Sequence, residues 1–260
     1  MNLNRPSSAS ANPSASANLS ACANLSASDR LIVALDVDTA SEADRLVDDL
    51  GDTVSFYKVG WQLFMREGLA YVQRLIGERK KRVFLDVKFE EIPRTVEESV
   101  RNVAREGTHF FTITGNSEAV RAAIAGRDGH SLPHFLYLTF LSSLDENDLR
   151  ALTGGAGTGL ETFIGNRARM AREQGVEGFI ASGESVAWLR RDAALEGAII
   201  VTPGIRPAGE SVNDHKRALS PAQAIQSGAD YLVVGRPVHK AANPRAVATQ
   251  IIDDIDNALG

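Results

Sequence analysis

A short apolar run followed by a segment with amphipathic helical spacing recurs eight times in this sequence, from residue 30 onward. Short apolar runs that alternate with helices are typical of the buried strands of a parallel sheet. Eight such units in about 230 residues predict an α/β fold with a single (β/α)8 TIM barrel, and a doubly wound open sheet is the alternative. The predicted strands are Leu31–Leu35, Val54–Val59, Val83–Val87, His109–Ile113, Phe135–Phe140, Gly178–Ala181, Ala198–Val201 and Tyr231–Val234.

Helix-start residues precede several of the intervening segments. Thr39 is a predicted N-cap, and Pro221 and Pro244 follow Ser220 and Asn243 as first-turn prolines. The predicted helices are Ala40–Leu50, Phe64–Ile76, Thr95–Glu106, Glu118–Ala125, Gly159–Gln174, Ser185–Arg191, Pro221–Ser227 and Pro244–Leu259. The Gly- and Thr-rich stretch Thr153–Gly159 is predicted to be a loop, since it lacks the lysine of a P-loop.

Composition divides the chain into two parts. Residues 1–28 are rich in Ser, Ala and Asn with almost no large apolar residue, and they predict a disordered tail. Residues 29–260 form the predicted barrel domain. The formal charge of −5 argues against a nucleic-acid binder, and no stretch is apolar enough to suggest a membrane span. The single cysteine, Cys22, fits a reducing cytoplasm.

The end of the third predicted strand carries the first candidate site. Residues two apart in a strand share a face, so Asp86 and Lys88 are expected to project together. In a TIM barrel this position lies at the catalytic end, where Asp36, Lys58 and the pair Ser142–Ser143 also follow strands. An exposed ion pair worth ~0–1 kcal/mol is the alternative interpretation.

The ends of the last two strands predict a phosphate site. Gly235 would let backbone N–H groups approach an anion, and the Arg236 guanidinium would bind phosphate oxygens. Arg206 follows the seventh strand, and the long segment Arg206–Leu219 is the natural candidate for a closing lid.

These stretches together resemble the bacterial orotidine 5′-monophosphate (OMP) decarboxylase family from about residue 29 to the C-terminus. The resemblance rests on Leu35-Asp36-Val37, Tyr57-Lys58-Val59-Gly60, Phe84-Leu85-Asp86-Val87-Lys88-Phe89, Ile92-Pro93 with Thr95, Thr202-Pro203-Gly204-Ile205-Arg206, and Ala229-Asp230-Tyr231-Leu232-Val233-Val234-Gly235-Arg236-Pro237. It implies a homodimeric decarboxylase that converts OMP to UMP without metal or cofactor.

The resemblance also implies roles for individual residues. Lys88 would donate a proton to C6 of the pyrimidine, and Asp86 would lie beside the departing carboxylate. Lys58 and the acid Glu91, contributed across the dimer interface, would complete a charge network. The implied substrate-binding residues are Asp36, Thr95 (also across the interface), Ser142, Ser143, Arg206, His215, Gly235 and Arg236.

Several positions depart from the family pattern. Glu91 stands where the family's Asp-x-Lys-x-x-Asp sequence ends in Asp, and its neighbour Glu90 stands where His is frequent. His215 replaces a Gln that touches both phosphate and pyrimidine; a neutral His can still donate one hydrogen bond. Thr114 replaces a His, and Arg94 replaces a common Asn.

Two other functions fit parts of the pattern. Relatives in the same barrel group are Mg²⁺-dependent sugar-phosphate lyases that hold the metal partly with a Glu on the second strand. Here that position is Lys58, which would repel a cation. The departures at Glu91, Thr114 and His215 would also fit a divergent, non-catalytic nucleotide-binding homologue.

Overall fold

Eight parallel strands close into a barrel in the computed structural model, which describes residues 25–88, 90–155, 157–207 and 218–260. Neighbours in the barrel are neighbours in the chain, and β1 closes the ring against β8, with Val33 beside Val234. This confirms the predicted (β/α)8 barrel, and the open-sheet alternative is wrong. The strands are β1 Leu31–Ala34, β2 Phe56–Gly60, β3 Arg82–Asp86, β4 Phe110–Ile113, β5 His134–Leu138, β6 Gly178–Ile180, β7 Ile199–Thr202 and β8 Tyr231–Val234.

Helices follow the strands and surround them. They are α1 Ala27–Arg30, α2 Ala40–Leu50, α3 Trp61–Gly77, α4 Pro93–Arg105, α5 Ser117–Gly126, α6 Glu146–Leu152, α7 Leu160–Glu173, α8 Ser185–Arg191, α9 Pro221–Gln226, α10 Arg236–His239 and α11 Pro244–Leu259. Short 3₁₀ turns cover Gly51–Thr53 and Ala193–Leu195. Sequence reasoning missed the short helices α1, α6 and α10; segments of four to seven residues show little periodicity, and the equally short α8 and α9 were predicted from their place between strands.

The predicted N-caps form as expected. The Thr39 hydroxyl accepts from the Glu42 N–H, and the Glu42 carboxylate accepts in return from the Thr39 N–H. Ser220 caps α9 with a reciprocal pair of the same kind, and the Asn243 side chain accepts from the Ala246 N–H. These local bonds explain why α2 and α11 begin at the predicted residues.

Alternate residues of every strand point into the barrel, where they form an apolar cluster separate from the outer core. The inward residues are Ile32, Ala34, Phe56, Phe84, Phe110, Leu136, Leu138, Ile180, Ile199, Val201, Tyr231 and Val233. Residues of the opposite parity, such as Val33, Tyr57 and Leu85, pack against the helices. This two-residue period decides which polar residue at each strand end turns inward.

The N-terminal end of the barrel interior is filled by rings. Phe110 contacts Phe56 and Tyr231 at centroid distances of 5.4 and 5.1 Å. His109 packs edge-on against His134, with 5.6 Å between their centroids. Burial, reinforced by the His134 and Arg82 charges, lowers the pKa of His109 to about 3. This end therefore holds neutral histidines at pH 7.

The described chain begins just inside the predicted tail. Ser26 caps α1, and the ion pair between Asp29 and Arg82, at 2.8 Å, ties this helix to β3. Leu25 packs against the interior cluster. Residues 1–24, most of the predicted tail, lie outside the described residues. Among the described helices, none combines the length and hydropathy needed to cross a bilayer.

Candidate active site

The polar residues at the barrel mouth continue the inward-facing rows of the strands. Lys58 follows Phe56 by two residues, Asp86 follows Phe84, and Thr112 follows Phe110, so each points into the barrel above an aromatic ring. The two-residue period brings acids and amines from different strands to one place.

Four charged side chains form an alternating row across this mouth. The Lys58 amine lies 2.7 Å from Asp36 Oδ1 and 3.8 Å from Asp86 Oδ2. The Lys88 amine lies 2.7 Å from Asp86 Oδ1. Because opposite charges alternate, each buried charge has a partner, and the predicted convergence of Asp36, Lys58, Asp86 and Lys88 is borne out.

Asp86 is the centre of this row. Its side chain is only 12% exposed, and desolvation acts to raise its pKa. The Lys58 and Lys88 charges, with hydrogen bonds from Lys88 and from the Thr112 hydroxyl at 2.6 Å, outweigh desolvation and hold the pKa of Asp86 below its ordinary value. A carboxylate fixed in this way stays ionised beside the Lys88 ammonium.

Gly60 leaves the space that the Lys58 amine occupies. A Cβ atom at position 60 would lie 2.7 Å from Lys58 Nζ and 3.2 Å from Asp36 Oδ1. Any larger residue would therefore push the amine out of the row. This close approach gives a physical reason for glycine at the end of β2.

A cavity of about 580 Å³ opens above the row. Its apolar wall comes from inward residues of β5 to β8, and its polar edge from the strand ends and the residues after them. The lining residues are Ala34, Asp36, Lys58, Gln62, Phe84, Asp86, Lys88, Leu138, Phe140, Leu141, Ser142, Ile180, Ala181, Ser182, Val201, Pro203, Gly204, Arg206, Val233, Gly235, Arg236, His239 and Lys240. The size and mixed lining suit a molecule with an apolar ring and several polar groups.

Cationic side chains border the β7–β8 side of the cavity. Arg206 is buried, and its Nη1 donates to the Ile205 carbonyl at 2.8 Å. Gly235 and Arg236, which follow β8, also line the cavity. A Cβ on Gly235 would lie 3.5 Å from Asp36 Oδ2, an ordinary contact distance, so the loop after β8 passes close to the β1 end.

The base of the predicted lid is closed by backbone hydrogen bonding. Ile205 forms a bridge with Leu219, and the Arg206 N–H donates to the Leu219 carbonyl at 2.9 Å. Residues 208–217, with the predicted ligand His215, lie outside the described residues.

Other predicted site residues lie away from this cavity in the single chain. Thr95 is exposed in the first turn of α4. Glu91 is also exposed, and its carboxylate accepts from the Ile92 N–H at 2.8 Å. Ser142 borders the cavity, whereas Ser143 is exposed beside it.

Sequence reasoning missed several residues of the site. Thr112 could have been found from strand parity, since it lies two residues after the buried Phe110. His239 and Lys240 follow Arg236 along the short helix α10, which was not predicted. The Trp61 indole donates to the Lys88 carbonyl at 3.0 Å, a contact between the first residue of α3 and the loop after β3 that no sequence pattern indicates.

The closed barrel, the paired charges and the cationic edge define a TIM-barrel enzyme with its site at the C-terminal ends of the strands. The family model described as "Orotidine 5'-phosphate decarboxylase / HUMPS family" matches residues 29–251. The chain belongs to this family. This finding confirms the predicted family and the predicted enzyme class, a carboxy-lyase.

Individual relatives agree with the family assignment. The chain is 45% identical to the orotidine 5'-phosphate decarboxylase of Methylobacterium nodulans over 229 residues, which cover 87% of this chain and 95% of the relative. It is 45% identical over 231 residues to the protein of that name from a Bradyrhizobium species, covering 89% and 93% of the two chains.

A solved structure has the same fold. The crystal structure of orotidine 5'-phosphate decarboxylase from Lactobacillus acidophilus superposes with a TM-score of 0.74 at 32% identity. The match covers 87% of this chain and 98% of that one.

Proposed function

We propose that this protein decarboxylates orotidine 5′-monophosphate to UMP, a step of pyrimidine biosynthesis, without a metal or cofactor. The observation that carries the proposal is the Lys88 ammonium, 2.7 Å from the ionised Asp86 at the floor of a nucleotide-sized cavity. The names of the relatives, at 42–45% identity over most of the chain, favour this substrate.

The cavity suggests how the nucleotide binds. The 5′-phosphate would bind at the cationic side, on Arg236, the Gly235 backbone and Arg206. Asp36, at the end of β1, would accept hydrogen bonds from ribose hydroxyls. The pyrimidine would lie over the apolar wall with its polar edge near Ser142 and Ser143. His215 would reach the phosphate from the lid segment, outside the described residues.

The charged row suggests the chemistry. The C6–carboxylate bond breaks, CO₂ leaves, and the electron pair stays on C6. The Lys88 ammonium stabilises the growing negative charge and then gives C6 its proton, and solvent restores the proton to Lys88. Asp86, ionised at 2.7 Å from the amine, holds Lys88 in place and lies beside the departing carboxylate. Lys58 compensates the charge of Asp86 from the other side.

The same proposal includes a homodimer in which Glu91 and Thr95 act in the partner's site. Both residues are exposed in the single chain, and Ile92 between them leaves 66% of its surface exposed. Trp61 and Met65 on α3 are further exposed apolar residues. An exposed apolar surface beside the proposed catalytic acid Glu91 is what a shared interface would cover.

We place the protein in the cytoplasm, as its single cysteine suggests.

The direct test follows the near-ultraviolet absorbance of OMP with purified protein and EDTA. We expect turnover that chelation does not change. A protein that binds UMP tightly and leaves OMP intact at high enzyme concentration would instead be a non-catalytic homologue. Activity that requires added Mg²⁺ would favour a sugar-phosphate lyase.

Complementation of a uracil auxotroph, with Glu91→Asp as the control, tests whether the longer acid is functional.

The dimer is tested by mixing two inactive variants, Lys88→Ala and Glu91→Ala. If each site takes Lys88 from one chain and Glu91 from the other, random heterodimers hold one intact site. The mixture should then recover about one quarter of the wild-type activity. No recovery after subunit exchange would exclude a shared site.

A further inference from the structure

His239 is a cavity residue to which the proposed mechanism assigns no role. It is the last residue of α10 and lies on the cavity lining with Arg236 and Lys240. Its Nδ1 atom is buried and has no hydrogen-bond partner among the described residues. Since Nδ1 is closed off from solvent, Nε2 is the ring nitrogen that can meet a ligand in the cavity.

The position of His239 in α10 associates it with the cationic side. Residues three apart on a helix are neighbours on its surface, so His239 lies one turn beyond Arg236. Lys240, the next residue, also borders the cavity. The side chains of α10 and its cap thus offer a guanidinium, an imidazole and an ammonium to the same side of the cavity.

The imidazole is neutral in the free protein. Burial lowers the pKa of His239; the Lys240, Arg236 and Lys58 charges lower it further, and Asp36 opposes them. A neutral imidazole carries one N–H, and with Nδ1 buried the useful position for that proton is Nε2. Neutral His239 would therefore act as a hydrogen-bond donor toward an acceptor in the cavity.

We propose that His239 is a substrate-binding residue that donates a hydrogen bond to the 5′-phosphate beside Arg236. Phosphate oxygens accept hydrogen bonds and favour a site of concentrated positive charge, which is what the α10 side provides. Asp36, the acid that faces this region, already accepts from the Lys58 amine at 2.7 Å. This inference rests on the proposed function, because it assigns a further ligand to the phosphate of the same substrate.

The experiment compares the binding of UMP and uridine by titration calorimetry, so no turnover is needed. His239→Ala should weaken UMP binding roughly 10- to 100-fold, since one hydrogen bond to a charged group is lost. Uridine binding should change by less than about twofold. His239→Gln keeps a side-chain N–H donor and should recover most of the UMP affinity. His130→Ala, at an exposed residue away from the cavity lining, is the matched control and should bind both ligands like the wild type.

Equal losses for UMP and uridine would overturn the proposal, because they would indicate general damage to the site. Unchanged UMP binding in His239→Ala would overturn it as well. If the alanine variant does not fold, the proton spectrum of the wild type decides: UMP should shift the His239 imidazole signal, assigned with His239→Gln, and uridine should not. A wild type that binds UMP selectively and does not decarboxylate OMP would refute the proposed function and leave this test intact.

Discussion

The two ends of the barrel interior differ in the charge of their titratable groups, which are charged at the mouth and neutral at the N-terminal end. At the mouth, Asp86 lies within 4 Å of both the Lys58 and the Lys88 amine, so charges of opposite sign alternate. At the N-terminal end, His109 and His134 are neutral among aromatic rings. Phe56 and Phe84, two rings of the interior cluster, lie two residues before Lys58 and Asp86 on β2 and β3.

This difference separates stability from chemistry along the barrel axis. Rings that pack without charge contribute apolar burial and cost little desolvation. Buried ion pairs seldom add net stability, because desolvation offsets their attraction. We infer that the aromatic N-terminal end of the barrel interior contributes most to folding stability, and that the charged mouth contributes to reactivity instead.

Lys88→Ala should impair catalysis at the mouth without affecting the N-terminal end, and it is the largest expected effect. In the proposed mechanism, loss of the ammonium removes both the charge stabilisation and the proton donor, so kcat should fall by roughly 10⁴-fold or more. The free energy of unfolding should change by less than about 2 kcal/mol, since Lys58 still faces Asp86. Steady-state kinetics and urea denaturation measure the two quantities. Lys80→Ala, at an exposed residue beyond α3, is the control, and a comparable kcat loss there would contradict the assignment.

Phe110→Ala should destabilise the N-terminal end of the barrel interior without impairing catalysis at the mouth. This fully buried ring contacts Phe56, Phe84 and Tyr231, and truncation should cost roughly 3–5 kcal/mol of unfolding free energy. At a temperature where the variant is folded, kcat should stay within about threefold of the wild type. A fall in kcat as large as that of Lys88→Ala would show that the two ends are not separable.

Gly60→Ala sharpens the comparison because it should displace the Lys58 amine without removing any charged residue from the chain. The added methyl group would lie 2.7 Å from Lys58 Nζ, so the amine must move from Asp36 and Asp86. A misplacement of about 1 Å at a catalytic group costs about 10²-fold in rate. We expect that loss in kcat with a thermal midpoint near that of the wild type. Gly77→Ala, where the methyl group meets nothing within 4 Å, should leave kcat unchanged.

As the pH falls, protonation linked to His109 at the N-terminal end should lower folding stability before Asp86 becomes protonated. The pKa of His109 is lowered from 6.5 to about 3 in the folded state, so the unfolded state binds more protons between these values. Stability attributable to this group is complete above pH ~6.5 and falls by about 1.4 kcal/mol for each pH unit on the way to pH ~3. His109→Gln should flatten this slope in urea denaturation from pH 7 to pH 4. An unchanged slope would mean that other groups control acid unfolding.

The sequence by itself determined the barrel and most of its elements. Short continuous apolar runs placed all eight strands within two residues, because strands buried on both faces are apolar at successive positions. Capping residues such as Thr39 and Asn243 fixed where α2 and α11 begin, because their hydrogen bonds are local in sequence. The shared projection of Asp86 and Lys88 was expected from the two-residue period of a strand.

Tertiary structure alone decided which of these polar groups touch. The bond from Thr112 to Asp86 joins neighbouring strands 26 residues apart in sequence. The clash that Gly60 avoids depends on where the Lys58 amine lies. The place of His239 on the cavity depends on a four-residue helix that no periodicity could predict. Spacing encodes the face on which a side chain projects, whereas distances across the barrel follow from strand register and closure, which the whole core determines together.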